Sequence, residues 1–389
     1  MSKNNDSTIY VDMGGVSELF KGEEEFDKGV IDRGKQLQKH CIQRAKEIYG
    51  ENLPIHIKDR IEEELVQIER AGDNVAATFL AAVEMFQAPC FQGPNRYIRG
   101  FRRALGASFV AYLCDITPFN PLELPENLTM HPVCFCGKMY LPMYINIGTK
   151  TKKEFMENNT DYEIPEGVEL YNTINLELLG ELQSRTEDIY ICSGYEKEDD
   201  GFTSDMWGFL RTEDIKFLPE FRDHSLAQQI INNAPDLNIA ALTKIIGLLH
   251  GSGTWFDNAE YLTKKYDNWL EKAISCQEDV YEYLMAHQVP HTSALDITEK
   301  VRHGNKSLSE EEMKILREYH CEDWFIESVR KIRYLFSRAQ TLCYAMETKR
   351  LIYYFNKYRR LYIRIFENVY GIKAARWAEW GIHKNCKRP

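Results

Sequence analysis

Between residues 97 and 117 the chain reads YIRGFRRALGASFVAYLCDIT. Gly100 and Gly106 flank Arg102 and Arg103, and Ser108 opens an apolar run that reads as a buried helix. Backbone N–H groups at a helix start, with a guanidinium fork beside them, suit a phosphate. A second glycine-rich stretch, GLLHGSGTWFDNA at 247–259, offers His250 and Gly251 for the same task. There Gly251 and Gly253 permit positive φ and Asp257 can cap the next helix, so a tight turn between helices is the simpler account. A third stretch, 329–366, interleaves Lys331, Arg333, Arg338, Arg359 and Arg360 with tyrosines. Cations beside aromatic rings suit phosphates and stacked bases, but an amphipathic helix pair with a tyrosine-lined core explains the pattern as well. His131, Cys134 and Cys136 invite zinc, yet the one-residue gap and the distance to Cys192 fall outside the usual ligand spacing, so no metal is expected. No Ser–His–Asp grouping and no Walker-type loop occurs.

The elements that would position these residues are mostly helical. Periodicity predicts helices from about Glu24 to Ala71, one ending at Gly50 and the next apolar at Ile61, Leu65 and Ile68. CDITPFNPLELPENLTMHPVCFCGK carries prolines that force an irregular passage. MYLPMYINI and LYNTINLELL alternate as strands do. GYEKEDDGFTSD is polar and reads as a linker, and from Trp207 onward helices of 10 to 20 residues follow one another. The fold class expected is α+β and predominantly helical.

A formal charge of −11 argues against a protein coated with nucleic acid. The charge is uneven: residues 349–389 hold eleven Lys/Arg against two Glu, a balance of +9 that leaves −20 for the rest. A basic C-terminal arm on an acidic body predicts one localised polyanion-facing surface. The first residues lack the apolar core of a signal peptide, and scattered cysteines with no membrane span fit a cytoplasmic protein.

Taken in order, these stretches resemble the alpha subunit of bacterial DNA polymerase III, of the PolC type found in low-GC Gram-positive bacteria, from about residue 40 to about 370. The 100–111 loop is similar to the family's G-S-R-G-S-x-G-S-S-F-V-A, matching at Gly100, Arg102, Gly106, Ser108, Phe109, Val110 and Ala111. In the family that loop helps hold the incoming triphosphate. Phe101, Ala104 and Ala107 replace serines, and Arg103 replaces a glycine. GLLHGSGTWFDNA is very close to the family's G-L-S-H-G-T-D-V-W-L-G-N-A, and KIRYLFSRAQTLCYA resembles K-I-K-Y-M-F-P-K-A-H-A-A-A-Y. The family's metal-binding aspartates in P-D-I-D-L and K-L-D-I-L-G are missing. With Pro142 as anchor, Met143 and Ile145 take the places of the pair and Glu177 that of the third.

The resemblance therefore implies a shortened, degenerate PolC-like copy: a reduced palm-like domain at 24–193 after a flexible 1–23, a linker at 194–206, a helical fingers-like domain at 207–372 and a basic tail at 373–389. It implies an inactive relative, suited to a phage or mobile element, that binds DNA weakly, a nucleotide or a replisome protein and competes with or regulates the replicative polymerase. The alternatives are an active DNA-directed DNA polymerase whose Mg²⁺ site is rebuilt from Glu177 with Asp115 or Glu163, and a helical scaffold with no polymerase-related role.

Overall fold

The computed structural model describes residues 32–371, apart from 94, 96–97, 126–127, 131–140, 159–161, 191–202, 236 and 305–307. His131, Cys134, Cys136, Cys192, the N-terminal segment, most of the linker and the C-terminal tail lie outside the described residues.

Three helices open the fold: α1 (Arg33–Tyr49), α2 (Ile55–Ala71) and α3 (Asp73–Met85). Asp32 caps α1 by accepting from the Lys35 backbone N–H at 3.0 Å, and Gly50 ends it with φ of 88°. Ile57, Ile61 and Ile68 point inward from α2 at helical spacing, and Glu64 shares that face, fully buried. Strand β1 (Arg99–Phe101) and the short helix α4 (Phe109–Leu113) follow, then β2 (Met143–Ile147), α5 (Thr149–Asn158), β3 (Val168–Asn172) and α6 (Ile174–Thr186). The sheet order is β1-β2-β3, the first pair antiparallel and the second parallel across α5. LYNTINLELL is thus strand only as far as Asn172. Its second half is α6, where Leu176, Leu178, Leu179 and Leu182 recur at helical spacing and are buried.

The helical remainder comprises α7 (Thr203–Leu210), α8 (His224–Asn233), α9 (Ile239–His250), α10 (Glu260–Thr263), α11 (Trp269–Lys272), α12 (Gln277–Ala286), α13 (His291–His303), α14 (Glu310–Glu318), α15 (Asp323–Lys331) and α16 (Arg338–Tyr370). The chain is thus mostly helical with one small sheet, as the α+β expectation had it. One apolar core runs from Leu37 to Phe366 and draws on both sides of the 194–206 stretch. A second core, from Ile274 to Leu335, joins α12, α13, α14 and α15.

Helix α16 links the parts. It is 33 residues long, bends at Tyr358 and packs against α6, α9, α7 and β1. The 329–366 stretch thus takes in the end of α15 and two helical segments of α16 that meet at the Tyr358 kink. Its basic residues do not form one face. Arg338 is 6% exposed, with Nη1 and Nη2 each 2.5 Å from the Glu282 carboxylate and Nη2 3.2 Å from Asp279. Lys349 and Arg350 are buried too, while Arg359 forks onto Asp214 at 2.8 and 3.1 Å. Twenty-one residues at 1.5 Å each put Arg338 and Arg359 about 30 Å apart. Arg360 and Arg364 remain exposed.

The described cysteines Cys41, Cys90, Cys114, Cys276, Cys321 and Cys343 are reduced and buried. No helix among the described residues is long and apolar enough to cross a membrane.

Arg338 should accordingly govern stability. Removing one member of a buried, paired ion network costs about 3–5 kcal/mol. Denaturant unfolding of Arg338→Ala should show a loss of that order, and a change within about 0.5 kcal/mol would mean that the network contributes nothing.

Candidate functional site

The 100–108 loop is organised from α2. Ser108 opens α4 by accepting from the Ala111 N–H at 2.9 Å and donates its own hydroxyl to Glu64 Oε2 at 2.7 Å. The Phe109 and Val110 N–H groups donate to Glu64 Oε1 and Oε2 at 2.8 and 3.0 Å. Arg60 binds Glu64 Oε1 at 2.6 Å and reaches the carbonyls of Ala107 and Met130. A helix start that could hold a phosphate thus holds the protein's own carboxylate. Ser108 is a cap in this structure. Gly106 is a packing position, since a Cβ there would come within 2.1 Å of the Phe101 ring. Sequence reading missed Glu64, though a carboxylate in step with Ile57, Ile61 and Ile68 was the available signal.

The sheet then sorts side chains by strand alternation. Met143, Ile145 and Ile147 lie buried with Phe101 and Leu170 on one face. The other face carries Gly100, Arg102, Tyr144, Asn146, Glu169 and Tyr171. Arg102 Nε donates to Asn146 Oδ1 at 2.8 Å, and its guanidinium lies 4.2 Å over the Tyr171 ring. Arg103 lies 4.2 Å over Tyr144 and holds φ of 56°, so it keeps a left-handed backbone where the resembled loop has glycine. Tyr144 and Asn146, rather than Met143 and Ile145, are thus the β2 residues that meet the loop. Reading from Pro142 had selected the apolar face, one residue out of step with the polar one, on which Asn146 is itself buried.

Glu177 lies in the first turn of α6 and accepts the Lys150 N–H at 2.9 Å, which caps α5. Asp115 is engaged elsewhere, with Arg99 Nη2 at 2.9 Å on the buried face, and Glu163 is exposed. A pair of Mg²⁺ ions needs several carboxylate oxygens. The face offers a carboxamide, two phenols, two guanidiniums and one glutamate bound by a tyrosine hydroxyl, a donor set that does not fit them. Among the described residues, no group of three acidic, His or Cys side chains is placed to hold a metal.

Where α16 crosses the Gly100 end of the sheet there is a buried carboxyl pair that the sequence reading did not single out. Glu347 Oε1 lies 2.7 Å from where a Gly100 Cβ would stand, so glycine is required for close approach. Asn175 Nδ2 donates to Glu220 and, at 3.4 Å, to Glu347. His250 Nε2 lies 2.8 Å from Glu220 Oε2, and the ring packs edge-on to Phe336. His250 is thus held by Glu220 and Phe336. Gly251 has φ of −66°, and its N–H closes α9 on the Gly247 carbonyl. Gly253 is the position with positive φ, 75°. Asp257 does not cap; it takes φ of 56° inside the turn.

The two carboxyls titrate apart. Burial pushes Glu347 up, and the neighbouring Glu220 pushes it further, to about 8. Burial acts on Glu220 as well, but His250 and Asn175 outweigh it and hold that group below the ordinary value. Of the remaining basic residues, Lys331 is exposed and donates to the Asp257 carbonyl at 2.6 Å, and Arg333 is exposed.

Residues 35–153 match the bacterial DNA polymerase III alpha NTPase domain, a stretch that holds α2, the loop, α4 and β2. That stretch is thus similar to bacterial DNA polymerase III alpha. More narrowly the chain is PolC-like. It is 36% identical over 152 residues to the PolC-type DNA polymerase III of Clostridium perfringens, covering 39% of this chain and 10% of that one. It is 35% identical over 137 residues to the PolC-type enzyme of Mycoplasmopsis pulmonis, covering 35% of this chain and 9% of the relative. The matched stretch spans about a tenth of the length of these relatives.

Two outcomes test this site. The folded protein keeps a proton on Glu347 that the unfolded chain gives up near 4.5, so stability should fall as pH rises from there to about 8. Urea unfolding of Glu347→Gln, neutral throughout, should lack this part of the slope and resist urea better than wild type near pH 8. In Glu64→Ala the α4 N–H groups and Arg60 lose their acceptor, which should cost about 3 kcal/mol or more.

Proposed function

We propose that the chain is a PolC-related protein that binds DNA through exposed cations and does not transfer nucleotides, and that it acts by occupying a place the replicative polymerase would otherwise take. The observation that carries this reading is the β2 face. Strand β2 turns Tyr144 and Asn146 toward Gly100 and Arg102, and Arg102 and Arg103 lie flat on tyrosine rings there. Nucleotidyl transfer by two metal ions needs several negative oxygens at that place to fix them, whereas the strands supply one carboxylate, Glu169, beside two guanidiniums, and burial keeps Glu347 next to Gly100 protonated up to about pH 8. The sheet with its loop corresponds, on this reading, to a reduced palm, and the helices after residue 207 to fingers. A triphosphate grip at α4 is weakened because Glu64 already takes the N–H groups. Lys331, Arg333, Arg360 and Arg364 are exposed cations that could meet a nucleic acid backbone. The relatives are DNA polymerases, which favours DNA over an unrelated polyanion.

Primer extension with purified protein, a primed template and Mg²⁺ or Mn²⁺ should give no incorporation. Template-dependent incorporation that disappears in Glu177→Ala would overturn the reading. Addition of the protein to a PolC-type polymerase reaction should slow synthesis in proportion to the template it occupies, and excess primed template should restore the rate.

A further inference from the structure

The turn between α9 and α10 buries one ring and extends the next. Trp255 is 3% exposed and packs edge-on to Trp269, with ring centres 5.7 Å apart, whereas Phe256 is 65% exposed. The backbone causes this alternation: Phe256 is extended, with ψ of 131°, and Asp257 then turns left-handed. The turn is held firmly. Ser252 donates to the Tyr334 carbonyl at 3.0 Å and accepts from the Arg333 N–H at 2.7 Å. Gly253 sits against α15 so closely that a Cβ would come within 2.1 Å of the Lys331 carbonyl oxygen. The Ser328 hydroxyl donates to Asn258 Oδ1 at 2.6 Å.

This frame displays further rings and cations. Tyr334 is 40% and Tyr261 50% exposed. Lys331 Nζ is fixed on the Asp257 carbonyl, one residue from Phe256, and Arg333 is exposed beside Tyr334 in the chain. Lys265 lies 5.8 Å over Tyr261. Exposed apolar rings that occur singly need no explanation, but Phe256 and Tyr334 lie on two segments joined by the Ser252 and Lys331 hydrogen bonds, with Lys331 and Arg333 just before Tyr334 in the chain. Ring faces stack on unpaired bases while adjacent cations meet the phosphates, so such a surface suits a single strand. A duplex keeps its bases stacked inside and would engage the cations alone. An acidic peptide would likewise leave the ring faces unused.

We propose that the Phe256–Tyr334 turn is a stacking platform for single-stranded nucleic acid, with bases on the two rings and phosphates at Lys331 and Arg333. The proposal rests on the DNA-binding reading above and adds which form of DNA is held and where. Fluorescence anisotropy at low salt with labelled oligo-dT, an abasic phosphodiester strand of equal length and a duplex tests it. Wild type should bind oligo-dT most tightly. Phe256→Ala and Tyr334→Ala should each weaken oligo-dT about 5- to 100-fold, with little effect on the abasic strand, and Phe256→Trp should retain affinity. Lys331→Glu should weaken both strands and lower the salt slope by about one. Circular dichroism checks that each variant remains folded. Oligo-dT binding that is unchanged in Phe256→Ala and Tyr334→Ala would overturn the platform and leave DNA binding by the chain standing. Equal affinity for oligo-dT and the abasic strand would overturn stacking. No binding of any of the three oligonucleotides would overturn both readings.

Discussion

Burying charge inside a helix commits every neighbour of that helix. The first half of α16 carries Arg338, Glu347, Lys349 and Arg350 through the interior, and a buried charge without a partner costs several kcal/mol. The partners come from distant places in the chain. Arg338 takes Glu282 and Asp279 of α12 and the Thr129 carbonyl. Glu347 meets Asn175 of α6 and the thiol of Cys343. Arg350 reaches Gln183 and the Tyr190 carbonyl. Burial works against the Asp279 carboxylate, but Lys244 and Arg338 overcome it and keep that group ionised at any ordinary pH. These bonds are directional, so they fix the register between α16, the sheet and the helical remainder in a way that apolar packing alone does not.

The same logic explains how a phosphate-like loop persists with its grip engaged internally. Glu64 and Arg60 enter from α2 and satisfy the donors at the start of α4. Arg103 holds a left-handed φ, and so does Asp257 in the turn after α9, each where the resembled motif has glycine. For a non-glycine residue that conformation costs on the order of 1 kcal/mol. Surrounding contacts sustain it at Arg103, where the backbone N–H donates to Gln340 at 2.7 Å.

Local chemistry was legible in the sequence. Gly50 ended α1, β2 and β3 alternated, and the 100–111 motif lies in the stretch that matches bacterial DNA polymerase III alpha. Three features were not legible, each for a physical reason. LYNTINLELL changes period in its middle, and a window spanning the change averages strand with helix. The face that β2 turns toward the loop depends on its register with β1, which no residue type in LPMYINIG dictates. Arg338 and Arg359 look alike in a basic stretch, and only the acidic α12 opposite one of them makes it a core residue. Pairing between segments far apart in sequence decided all that local pattern left open.

The sulfur chemistry follows from the packing. A thiol reacts as thiolate and only when reached by reagent. Burial raises Cys114, Cys276 and Cys343 well above the ordinary thiol value. Cys321 is pushed up to about 11 by the same cause. Native protein therefore meets an alkylating reagent almost unarmed at these positions, and each modification marks an opening event. The sites are spread over the fold: Cys114 beside α4, Cys276 at the start of α12, Cys321 in the second core and Cys343 on α16. The rate at which each is alkylated becomes a local clock of unfolding, read from one chain without any engineered label.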